Sequence, residues 1–198
     1  MYQELIFSPF RSAKDDAYVG GGACLPADVR WPTSTSGEPL VHLMSFPGWW
    51  FDADLKDDNF WISIFIPYVI DQVGHYRKLR ERDGCSEAVV VGHLASESPR
   101  NESSVEIKDV GGVVISLSGD PDDSENLASK IDGVDAWLQR PIAIPSMRRR
   151  VSVYGGDLDL ALPNYRGILS DGMGYLLIDN AALKKKQAEL GNFFLQLG

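Results

Sequence analysis

The stretch Gly20–Leu43, GGGACLPADVRWPTSTSGEPLVHL, opens with three glycines, then carries three prolines and a tryptophan into an apolar segment. Two readings compete for it: a phosphate-cradling loop or a rigid piece of scaffold. A Walker loop needs a glycine, four residues and then Gly-Lys-Ser/Thr, so that backbone amides and the lysine meet phosphates. Here Gly22 leads to Ala23, Cys24, Leu25 and Pro26 with no lysine. A dinucleotide fingerprint needs a helix after the glycines, and Pro26 and Pro32 oppose one. The glycines and prolines therefore read as fixed turns that feed a strand.

Outward from this stretch the apolar signal comes in short bursts. Phe60–Ile70, Glu87–Ala95, Gly111–Gly119, Arg149–Gly156, Gly174–Asp179 and Asn192–Leu197 are β-branched or aromatic and bounded by Gly, Pro, Asp or Ser, which predicts strands. Helical signal is thinner: Asp71–Gly84, a short piece across Glu125–Lys130, and Asn180–Gly191. Ser96–Ser104 and Gly119–Asn126 are expected as surface loops. The fold class expected from this pattern is α+β and β-rich, with mixed or antiparallel sheets and a few short helices. Two organisations are open: one undivided domain over 1–198, or one domain of two similar halves, about 1–108 and 109–198.

The chain has 198 residues, 44% of them hydrophobic, enough to bury roughly 70% of the surface of the unfolded chain in one core. Its 19 basic and 28 acidic residues give a net charge of −9. That balance argues against nucleic acid as a ligand, which needs a basic surface, and suits either solubility or a basic protein partner. Only Cys24 and Cys85 are present, no run approaches ~18 apolar residues, and the opening MYQELIFSPF lacks a secretory pattern. A cytoplasmic protein without a membrane segment is expected, with each cysteine a small core residue and one disulfide left open.

Chemical constellations are sparse. The cysteines with His42, His75 or His93 form no sequence-local pair, and His93 reads as a hydrogen-bonded wall residue. The acids Asp52, Asp54, Asp57 and Asp58 lack the glycine and glutamate of a calcium loop, so no metal or other cofactor is expected. They and Asp120, Asp122, Asp123 and Glu125 fit a cationic surface better than chemistry. Trp49 and Trp50, among the first set, make an aromatic anchor rimmed by charge, or else core; Trp61 reads as core. The runs Arg148–Arg150 and Lys184–Lys186 read as solvated faces.

Three ordered blocks resemble the YwqG-like family, a bacterial group of unknown function. They are Gly21-Gly22, Pro26, Trp31-Pro32 and Gly37-Glu38-Pro39-Leu40; then Lys130, Ile131, Gly133, Trp137 and Gln139; then Asp171, Gly172, Gly174, Tyr175 and Ile178. A closing GNFFLQ extends the likeness, which covers about Gly20 to Gln196. The glutamine usual after the family's first strand falls near Ser45 here, and the second block has Asp132-Gly133 for a doubled glycine. The resemblance implies a β-rich, duplicated α+β domain and, since such proteins recur beside secreted bacterial toxins, an immunity protein. The partner so implied is a cognate antibacterial toxin, a basic nuclease domain, covered by a monomer in a one-to-one complex. A housekeeping module binding a small molecule or peptide between the halves, and an enzyme built on Asp171 or the cysteines, are the alternatives.

Overall fold

A computed structural model describes residues 2–13, 16–70, 72 and 74–198. Ten strands among them form one sheet. In chain order these are β1 (Tyr2–Ser8), β2 (Ala17–Gly20), β3 (Val41–Pro47), β4 (Phe60–Ile66), β5 (Val89–Leu94), β6 (Val110–Ser118), β7 (Lys130–Ile131), β8 (Met147–Tyr154), β9 (Met173–Asp179) and β10 (Gly191–Gln196). Helices are α1 (His75–Leu79), α2 (Gly155–Ala161) and α3 (Asn180–Lys184). Every ladder between these strands is antiparallel.

The expected α+β class is therefore wrong: this is an antiparallel β fold with helices of five, seven and five residues as connectors. The helices are shorter than the windows: α1 starts only after Gly74 and stops at Leu79, and α3 stops at Lys184, just before Lys186 turns to positive φ, both below the length at which a helix holds itself. Glu125–Lys130 forms no helix; Asp123 accepts from the Glu125 amide and Asn126 from that of Ala128, which fixes turns, and Lys130 joins β7. Two positions of the Asp71–Gly84 window, 71 and 73, lie outside the described residues.

The sheet order is β10-β9-β8-β7-β1-β6-β2-β3-β4-β5. It reads the same from either end when β1–β5 are exchanged for β6–β10. Two antiparallel meanders flank a central pair, and that pair is swapped: β1 lies beside β7, and β6 beside β2. The outer edges approach each other, since Gly92 N donates to Ala188 O at 2.9 Å and Val91 bridges Glu189. The sheet is thus nearly closed into a barrel, which removes exposed edges.

Inside lies one large cluster that includes Leu5, Val19, Phe46, Ile62, Val153 and Phe193, with Leu158 and Ala161 of α2 packed into it. Two satellite clusters coat the outer faces of the meanders. One gathers Trp31, Leu25, Leu40 and Phe65; the other gathers Trp137, Tyr175, Phe194 and Leu177. The opening stretch supplies the first cover. Gly20, Gly21 and Gly22 all have positive φ, and a Cβ on Gly20 would lie 2.0 Å from Asp109 O. The chain can turn out of β2 at that point only without a side chain.

Candidate partner-binding surface

The connection from β3 to β4 carries the first acidic segment. Pro47 ends β3, and two single turns of 3-10 helix follow, Gly48–Trp50 and Ala53–Leu55. Leu55 and Trp50 anchor the segment; Trp50 is 9% exposed and its ring meets Phe46 at 5.9 Å. Trp49 points outward, 41% exposed, edge-on to Trp50 at 6.2 Å. The even choice between anchor and core thus splits: Trp49 is presented and Trp50 is core, as is Trp61. Asp52 accepts from Asp54 N at 3.1 Å, and Asp58 pairs with Lys186 at 2.7 Å. Asp54 and Asp57 are exposed and make no ion pair among the described residues.

The second acidic segment is partly structural. Asp122 accepts from Lys130 Nζ at 2.9 Å and from Val134 N at 3.1 Å. The hydrogen bond from Lys130 leads in holding its carboxyl below the usual range. Asp123 accepts from Glu125 N, while Asp120 and Glu125 face solvent.

What joins the two segments is a hub at residues 132–135. Arg150 grips Asp132 through Nε at 2.6 Å and Nη2 at 3.1 Å, donates from Nη2 to Phe51 O at 2.8 Å, and from Nη1 to Asn180 Oδ1 at 2.9 Å. Arg149 donates from Nε to Asp135 at 2.7 Å and from Nη2 to the carbonyls of Asp132 and Gly133. Asp122 closes the chain through Val134 N. Segments some seventy residues apart in sequence are so linked by hydrogen bonds into one surface. Asp132 and Asp135 remain about half exposed, which adds two carboxylates to it.

Arg149 and Arg150 correct the expectation of a solvated basic face, because both are buried. A bulge between Arg149 and Val151 explains it. An extra residue in one strand upsets strict alternation, so two neighbouring side chains can both be covered. The run of arginines is the one trace of this hub in the sequence, and its charge alone points to the opposite burial.

A separate cavity of about 400 Å³ lies on the first meander, floored by Tyr18 and Trp61 and rimmed by Cys24, Asn59 and Val110. The Arg11 guanidinium sits 4.2 Å from the Tyr18 ring centroid. Behind the floor runs a buried chain: His42 Nε2 to Ser45 Oγ at 2.7 Å, Ser45 to Ser63 at 2.6 Å, and Ser63 to His93 Nε2 at 2.8 Å. Burial pushes His42 down to about 3, lowers His93, and raises Tyr18 to about 12, so all three are neutral at pH 7. Both serines are sealed from solvent, which keeps any substrate from their hydroxyls. The chain satisfies polar groups inside the sheet and pins β3, β4 and β5 together.

Both cysteines are free. Cys24 is half-buried and Cys85 exposed, not core as expected, and Asn192 donates to Cys85 Sγ. No histidine nitrogen bonds either sulfur among the described residues. Among these residues no group of three or more His, Cys, Asp or Glu is set to hold a metal ion, and no helix is long and apolar enough to cross a membrane. No protein-family model and no curated protein matches the chain.

Proposed function

We propose that the protein binds a cationic protein through the acidic surface around Trp49, and that this partner is a secreted antibacterial toxin, a nuclease domain, which it neutralises as an immunity protein. The observation that carries this reading is the hub at 132–135, which ties both acidic segments to one rigid frame beside an exposed indole. An aromatic anchor ringed by charge is how binding energy concentrates at protein interfaces. The net charge of −9 adds long-range attraction to a basic partner. A nuclease that grips phosphates offers such a basic face, and covering it needs no catalytic group. The resemblance to the YwqG-like blocks supports the same reading, as does the presence of such proteins beside toxins.

The test is association with the basic toxin domain encoded next to this gene. Trp49→Ala should weaken binding roughly 30-fold or more, chiefly by faster dissociation. Reversing Asp52, Asp54 and Asp57 to lysine should slow association roughly 10-fold at low salt, with the difference shrinking as salt rises. Absence of any complex with that domain refutes the reading. A second reading, a small-molecule module, is favoured by the aromatic floor of the Tyr18–Trp61 cavity, whose size suits a modest ligand. It predicts ligand-dependent quenching of tryptophan fluorescence that Trp61→Phe reduces.

A further inference from the structure

A second cavity, about 720 Å³, lies on the outer face of β8 and β9. The register of the sheet equates it with a filled place on the other meander. His42 pairs with Phe65 across β3 and β4, and Arg149 pairs with Leu177 across β8 and β9; both ladders slip immediately after these pairs. On the first meander an indole covers the spot, with Trp31 edge-on to Phe65 at 4.9 Å. On the second, Trp137 sits over Tyr175 at 4.7 Å, two residues short of Leu177. Leu177 and Arg149, themselves buried, form the floor of this cavity, walled by Ile142, Ile144 and Met147.

The polar groups there are unevenly satisfied. Arg149 has no exposed side-chain surface; its Nε and Nη2 are engaged, but Nη1 has no hydrogen-bond partner among the described residues. A buried charged donor left unpaired is costly and rare. Arg148 is exposed at the same cavity and has no ion pair among the described residues. Asn180, also on the wall, spends its Oδ1 on Arg150. The two lining carboxylates, Asp132 and Asp135, are already taken by Arg150 and Arg149. The remaining capacity is for an acceptor of negative charge set against apolar walls.

We propose that this cavity binds a carboxylate carried on an apolar or aromatic group, with the ring where the first meander has its indole and the carboxylate toward Arg149 and Arg148. The proposal does not rest on the toxin reading, although the cavity shares Asp132 and Asp135 with the acidic surface. The probe is indole-3-carboxylate, titrated calorimetrically into the full chain, with indole and inorganic phosphate as controls. The acid should bind with Kd on the order of 10 to 1000 μM, and each control at least about tenfold more weakly. Arg148→Gln should weaken binding several-fold. Ala143→Trp, a change at an exposed position on the cavity wall, should abolish it. Arg149→Gln should abolish it too, but the two surface variants decide the matter if that protein fails to fold. Short peptides ending in tryptophan, with free or amidated C-termini, separate the sources: tighter binding of the free-acid peptide than of the small acid indicates a protein tail, and the reverse a free organic acid. Equal affinity for indole and its carboxylate, no binding at about 5 mM acid, or wild-type affinity in both surface variants overturns the proposal.

Discussion

Replacing Arg150 with methionine keeps the aliphatic stem and removes the guanidinium that joins the 132–135 hub to Phe51 and Asn180. Three contacts vanish at once. The Phe51 carbonyl loses the donor at 2.8 Å, and leaving a buried acceptor empty costs about 1–3 kcal/mol. The pair with Asp132 is worth less, about 1 kcal/mol, because that carboxylate is 49% exposed and regains water. Loss of the Asn180 bond adds about 1 kcal/mol. The expected total is about 3–5 kcal/mol, or a fall in Tm of about 10 °C for a chain of this size. Urea unfolding measures the stability, and hydrogen exchange reports where it is lost. Amides of residues 48–59 should exchange faster in Arg150→Met, while those of β4 beyond the segment keep their protection. Stability within about 0.5 kcal/mol of wild type, with unchanged exchange in 48–59, would refute the claim that this arginine holds the two acidic segments in one frame.

Other expectations follow from the same contacts. His42 is neutral in the fold with its pKa depressed to about 3, so the unfolded chain binds more protons between about pH 6.5 and 3 and stability must drop as pH falls through that window. His93 acts in the same direction, and His42→Gln should flatten the slope of stability between pH 6.5 and 5, where few carboxylates titrate. Gly20→Ala should cost about 3 kcal/mol or more, because its Cβ meets a backbone oxygen. Gly37→Ala, with positive φ but open space, should cost about 1 kcal/mol; equal effects in denaturant melts would contradict the packing argument. A thiol reagent should modify Cys85 faster than Cys24, and reductant should leave Tm unchanged, since both thiols are free.

Most strands were readable because their residues are β-branched or aromatic and end at turn formers; β4, buried along all of Phe60–Ile66, is the clearest case, whereas the short β2 and β7 were not, Lys130 closing a window expected to be helical. β1 was not, because Gln3 and Glu4 interrupt it and it lies where the outer face meets water. α2 was hidden by its two leading glycines, which are poor helix formers tolerated here because Leu158 and Ala161 are buried in the core. The acidic segments were visible as charge, but the frame that unites them was not. Asp132, Asp135, Arg149 and Arg150 meet only through a bulge and the β7–β8 pairing, and neither has a local signature. The His42–Ser45–Ser63–His93 chain is similar: each member looks ordinary in sequence, and only the register of three strands aligns them.

The swap of the central strands bears on how the chain is made. Tyr2–Ser8 pairs only with Val110–Ser118 and Lys130–Ile131, so β1 waits for partners more than a hundred residues further along the chain. The first meander can collapse early, but the barrel cannot seal until residues 188–196 have been made. Long-range pairing of this kind slows folding and leaves apolar surface open meanwhile. Either half expressed alone should be unstable, since each lends its leading strand to the other. Supplied together as separate fragments, they carry the complementary edges needed to find each other.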